Sequence, residues 1–114
     1  MVEIYTLPQG QIRINIYDKK LSIGILDLKP WKELEKHQRP VDEQLLQMEG
    51  ESIIKFFNKE ELIKEEHLMS GDRLIIPANT SHVHCNPLDK LSRVMWKFKG
   101  DITKILDKIR KDYA

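Results

Sequence analysis

Two short stretches of this chain hold residues whose types and spacing could do chemistry. The more informative is Gly71-Asp-Arg-Leu-Ile-Ile-Pro77-Ala-Asn79-Thr-Ser-His82-Val-His84-Cys-Asn86. Gly71-Asp72 signals a turn, and residues 74–76 are a short apolar run of strand type. Pro77 stops pairing, and residues 78–81 supply a second turn in which Asn79 can take positive φ. His82, His84 and Asn86 then share one face of the next strand, because side chains alternate with period two. A face that should offer apolar side chains to a core offers two imidazoles and an amide instead. Such a face needs a polar partner or a metal ion. The other stretch, His37-Gln-Arg39-Pro-Val-Asp-Glu43-Gln-Leu-Leu-Gln47, adds an imidazole, a guanidinium and a carboxylate.

The elements that must position these groups are mostly short strands. Residues 2–7 alternate and end at Pro8; residues 12–17 alternate strictly, as a half-buried strand does. Residues 21–28 form a third strand closed by Pro30, and the charged residues 31–36 read as loop. Residues 43–48 and 52–57 pair around Gly50. Residues 62–68 read as a strand, although their charges also suit a helix. Residues 91–98 are the last strand. The tail differs: Asp101 can cap a helix over about 101–112, with Ile102, Ile105, Leu106 and Ile109 on one face. That helix should lie on the outside of the domain, or serve as a dimer contact. Many short strands with regular turns predict an all-β, antiparallel double-sheet sandwich or barrel.

Composition excludes several classes. With 114 residues the chain is one domain that can bury a core without staples. Charged residues are 32% and nearly cancel to +1, so no net field draws nucleic acid or an anionic membrane. Cys85 is the single cysteine, so no internal disulfide forms, and a reducing, cytoplasmic setting is expected. No signal pattern opens the sequence, and no apolar run approaches the roughly 20 residues that span a bilayer. Abundant Ile, Lys and Glu lean toward a thermophile.

Taken together, the two stretches resemble the two motifs of the cupin superfamily. The first motif has the form G-x5-H-x-H-x3-4-E-x6-G, matched here by His37, Glu43 and Gly50. The second has the form G-x5-P-x-G-x2-H-x3-N, matched by Gly71, Pro77, His82 and Asn86. The resemblance covers about residues 21–98, the expected barrel. It implies a small jelly-roll β-barrel with one C-terminal helix, usually paired as a homodimer. It also implies that motif positions His37, Glu43 and His82 hold a divalent metal such as Fe, Mn, Zn, Ni or Co, and that Asn86 is structural.

Three positions depart from the pattern. Trp31 and Asn79 stand where the motifs have glycine, and Arg39 stands where the first motif has its second histidine. Two imidazoles and a carboxylate still suffice for a facial triad. A guanidinium cannot ligate, however, and if it points inward it repels a dication by several kcal/mol at an effective dielectric of ~20. It could also pair with Glu43. His84 could replace the lost ligand, but it lies ~6–7 Å along the strand from His82. Arg39, Gln47 and His84 are the expected ligand-pocket residues. Two functions follow: a metal enzyme of dioxygenase or isomerase type, acting on a small oxygenated metabolite, or a metal-free module that binds an anionic small molecule through Arg39 and the histidines. Cys85 is expected as an inert buried thiol, His67 as solvated, and Trp31 and Trp96 as core or rim packing.

Overall fold

The computed structural model describes residues 2–113. In chain order the elements are β1 (Glu3–Leu7), β2 (Gly10–Tyr17), β3 (Ser22–Leu28), β4 (Glu43–Glu49), β5 (Ser52–Asn58), β6 (Glu61–Leu68), β7 (Arg73–Ile76), β8 (Ser81–Cys85), β9 (Ser92–Phe98) and α1 (Thr103–Tyr113). A six-stranded sheet runs in the order β1-β2-β3-β9-β4-β7, and a three-stranded sheet in the order β6-β5-β8. Every pairing between these strands is antiparallel. The arrangement is the expected double-sheet jelly roll with one C-terminal helix. No helix among the described residues is long and apolar enough to cross a membrane.

Alternation decides what enters the interior. β4 turns in Glu43, Leu45 and Gln47; β5 turns in Ser52, Ile54 and Phe56; β9 turns in Ser92, Val94, Trp96 and Phe98. The apolar members of these rows meet between the sheets, with Leu26, Leu68 and Ile76, in one core. Burying a side chain such as Ile54 or Ile76 contributes about 2 kcal/mol. Gly24 on β3 makes room for the Trp96 indole, since a Cβ there would fall 2.1 Å from Trp96 Cζ2 and from the Arg13 carbonyl oxygen. β6 is a strand, and its charges have a strand's reason: it is an edge, nearly all exposed, and lysines and glutamates discourage further pairing.

Residues 43–48 and 52–57 do not pair around Gly50: β4 joins β7 and β9 in the larger sheet, and β5 joins β6 and β8 in the smaller. Three other expectations change. The barrel starts well before residue 21: β2 pairs along β3, and Ile14 is buried to 1% exposure. The motif resemblance reached only the two motifs and the strands that flank them. The charged residues 31–36 are not a free loop but the start of an extended segment laid along β8. It is joined by Leu34 N–H to His84 O (3.0 Å) and His37 N–H to His82 O (3.0 Å). The third change concerns α1. Asp101 caps it, accepting from Thr103 N–H at 2.9 Å. The apolar face is spent on this same barrel, however. Ile102 and Leu106 are buried at 2% and 1% exposure, and Ile105 and Ile109 pack against the core. That face is therefore not free to serve as a dimer contact.

Polar contacts hold α1 in place. Arg110 donates Nε to Glu3 Oε1 (2.7 Å) and Nη2 to Glu3 Oε2 (2.9 Å), tying the last turns to β1. The same guanidinium lies 4.9 Å over the Tyr17 ring, whose hydroxyl bonds to Thr103 Oγ1 at 2.7 Å. The hydrogen bond from Arg110, helped by one from Tyr5, lowers the Glu3 carboxyl from its ordinary 4.5 to about 2. This stabilisation is complete above about pH 4.5 and disappears as the pH falls toward 2. Glu3→Gln should therefore lower stability by about 1 kcal/mol at pH 7. In thermal unfolding, the gap between variant and parent should close by pH 2; a gap that persists there would show that the pair does not hold the helix.

Candidate metal centre

Backbone turns place the site residues before any side chain meets. Trp31, Gly50, Gly71 and Asn79 have φ of 62°, 65°, 93° and 60°. All four occupy motif glycine positions, so Trp31 and Asn79 adopt the backbone that the missing glycines would supply. Asparagine does so readily; a bulky aromatic is an outlier there. Trp31 gains no packing in return, since it is 68% exposed rather than core or rim. Asn79 N–H also donates to Arg39 O at 2.7 Å, joining the two motifs.

The ladder then sets the histidines side by side. His37 and His82 are directly opposed and exchange both backbone bonds, His37 N to His82 O at 3.0 Å and His82 N to His37 O at 2.9 Å. Their rings therefore leave the same face, with centroids 4.4 Å apart. His84, two residues along, stacks its ring 5.4 Å from that of His37 and 5.0 Å from that of His82. Glu43, at the start of β4, approaches from the facing sheet: its Oε1 is 3.3 Å from His82 Nε2 and 3.7 Å from His84 Nε2. One ligand atom each from His37, Glu43, His82 and His84 lies within 4.8 Å of all the others. The strand separation of His82 and His84 is thus no obstacle, because their side chains lean toward each other.

The hydrogen bonding prepares these atoms as ligands. His82 Nδ1 bonds to Thr80 O at 2.8 Å, and His37 Nδ1 bonds to Glu35 O at 2.9 Å. A carbonyl can only accept, so each Nδ1 carries the proton and each Nε2 keeps its lone pair. His82 Nε2, Glu43 Oε1 and His84 Nδ1 are buried without a hydrogen bond. The close approach of His82 Nε2 to Glu43 Oε1 lacks hydrogen-bond geometry, and both present lone pairs to the same space. A buried unsatisfied acceptor costs about 1–3 kcal/mol, which an ion between them would offset. Burial, then the charges of Arg39, His84 and His82, lowers His37 to about 3, so it is neutral at pH 7.

Arg39 lines the same cavity of about 60 Å³ as His37, Glu43 and His84. It does not take Glu43 from the histidines: among the described residues no carboxylate lies within 4.0 Å of its guanidinium. Gln47 is corrected. It is buried on the same strand face as Glu43 but lies too far along β4 to line the pocket, and its Nε2 donates to Glu49 O (2.8 Å) and Ser92 Oγ (3.1 Å). Asn86 is structural, with Nδ2 donating to the Lys90 and Leu28 carbonyls at 2.6 and 3.0 Å. Cys85 faces Glu33, and burial together with that carboxylate pushes its thiol up to about 12. His67 is exposed beside Glu51. The pocket wall contributed by Ile105 and Ile109 went unassigned in the sequence; the helical spacing showed an apolar face but not what it covers.

No protein-family model and no curated protein matches the chain. Solved structures do. A cupin superfamily protein from Desulfitobacterium hafniense matches with TM-score 0.65 at 16% identity, over 89% of this chain and 79% of that one. Bacillus subtilis oxalate decarboxylase, whose Mn(II) centres have been studied, matches with TM-score 0.77 at 19% identity over 87% of this chain. Vicilin of hazelnut, Corylus avellana, matches with TM-score 0.74 at 14% identity, also over 87% of this chain. The chain spans only 28% of the decarboxylase and 31% of the vicilin. At these identities the likeness is one of fold, and the fold is that of the cupins.

Two outcomes test this local account. Replacing Trp31 by glycine removes an αL penalty of about 1–2 kcal/mol against an unfolded-state entropy cost of about 0.5–1. Trp31→Gly should therefore raise the melting temperature, and a lower one would mean that Trp31 packs usefully. In metal-free protein, imidazole ¹⁵N shifts should show His37 and His82 as Nδ1–H tautomers; an Nε2–H signal from either would refute the ligand assignment.

Proposed function

We propose that this protein holds one divalent metal ion on His37, Glu43, His82 and His84, and there binds or transforms a small oxygenated metabolite. The observation that carries this reading is the convergence within 4.8 Å of one ligand atom each from four residues, three of them buried. His84 takes the place of the histidine that Arg39 displaced, supplying from β8 what the first motif lacks. Three imidazoles and one carboxylate suit Fe, Mn, Zn, Ni or Co. The Mn(II) centres of the B. subtilis decarboxylase make manganese the first ion to test. When bound, the ion would supply Lewis acidity to a ligand oxygen. The chain itself does the rest: Thr80 and Glu35 carbonyls orient His82 and His37, the apolar wall excludes water, and Arg39 balances negative charge on the ligand. A reaction of dioxygenase or isomerase type fits such a site.

The runner-up is a metal-free pocket in which Arg39 and the histidines hold an anionic metabolite. It is favoured by one observation: among the described residues no carboxylate lies within 4.0 Å of the Arg39 guanidinium. Elemental analysis separates the two. After dialysis, protein loaded with Mn, Fe or Zn should retain about one ion per chain. His82→Ala should weaken retention by at least roughly 10–100-fold, the range known for outer hydrogen-bond partners alone, while circular dichroism shows the fold intact. Retention that is sub-stoichiometric, or indifferent to His82→Ala, would leave the metal-free reading. Arg39→His should tighten the ion, by relieving repulsion and adding a ligand; unchanged affinity would place Arg39 outside the ion's reach.

A further inference from the structure

We infer that the ligand of this site is a monocarboxylate with a short apolar tail, its carboxylate on Arg39 and its tail beneath α1. The inference deepens the reading above and rests on it for the location of the ligand, not for the presence of an ion.

Arg39 is half-buried and has no carboxylate partner within 4.0 Å among the described residues. A cation held out of water without a partner is costly, and the planar guanidinium matches a carboxylate with two parallel hydrogen bonds. The space beside it has an apolar wall. An outer groove of about 370 Å³ shares His37, Arg39 and the apolar side chains Ile12, Leu34, Ile105 and Ile109 with the inner cavity. A ligand anchored on Arg39 therefore has the metal-ligand cluster on one side and an aliphatic channel on the other.

The rim determines the charge of the far end. Its lysines are already engaged: Lys36 with Glu60 Oε2 at 3.1 Å and Lys59 O at 3.0 Å, and Lys108 with Asp112 Oδ2 at 2.7 Å. Glu35 and Asp112 line the same groove. Among the described residues that line the groove, a second carboxylate at the tail end would find no unpaired cation, so a dicarboxylate is disfavoured.

The test is calorimetric titration of the full chain, with and without zinc, against acetate, butyrate, hexanoate, adipate and hexan-1-ol. Affinity should rise about fourfold per buried methylene from acetate to hexanoate. Adipate and hexan-1-ol should bind at least about tenfold more weakly than hexanoate. Arg39→Gln should cost at least about tenfold in hexanoate affinity, with Arg39→Lys intermediate, because lysine keeps the charge without the planar fork. Ile109→Asn should flatten the chain-length series and leave acetate unchanged. A flat series in the parent protein, no measurable binding, or hexanoate binding indifferent to both Arg39 variants overturns the inference. Stoichiometric zinc with a flat series leaves the metal reading standing alone. The full series in a protein that takes up neither zinc, manganese nor iron keeps the inference and overturns the metal reading.

Discussion

The pair of backbone hydrogen bonds between His37 and His82 is the constraint on which the rest of the site depends. It fastens an irregular, charged segment to the edge of the smaller sheet. A one-residue slip would turn His37 to the opposite face and dissolve the cluster. Neighbouring bonds protect the register: Leu34 N–H to His84 O on one side and Asn79 N–H to Arg39 O on the other. Because that segment joins β3 of the large sheet to β4, the same contact also sets the mouth of the barrel.

With the register fixed, the polar interior divides into two parts with different purposes. At the mouth, Glu43, His82 and His84 meet His37 with lone pairs unspent. Farther down, Gln47, Ser52 and Ser92 bond to one another, with Ser52 Oγ and Ser92 Oγ 2.9 Å apart. Between them lies an apolar layer that includes Leu45, Ile54 and Val94. Glu43 Oε1, His82 Nε2 and His84 Nδ1, all without a hydrogen bond, lie at the end that α1 and the 31–39 segment enclose, while Gln47 Oε1 is left unpaired deeper in the barrel.

Arg39 gives the site its individual character. In place of a metal-ligating histidine the chain carries a permanent cation, which changes both the electrostatics of the cavity and the kind of ligand it can hold. Helix α1 supplies the complementary surface. Its apolar face covers the barrel mouth, and the Glu3–Arg110 pair and the Tyr17–Thr103 hydrogen bond keep it there. A cation at the centre and hydrocarbon at the edge together shape the proposed chemistry.

The fold and the residues able to do chemistry were legible in the sequence because they are written locally. Period-two alternation marks a strand wherever it is read, and glycine or asparagine at a turn reports positive φ without knowledge of the partner strand. The strained backbone at Trp31 was not read from the sequence, because a bulky aromatic argues against positive φ. The extended run of residues 31–36 was not legible, because its charges face solvent and its only order is the ladder to β8. Three further questions needed the tertiary structure: whether His84 reaches the cluster, whether Arg39 pairs with Glu43, and what the helix covers. Each depends on distances between segments far apart in the chain, set by how the two sheets close. Residue type and period determined what each position could do; the closing of the barrel decided which of those capacities meet.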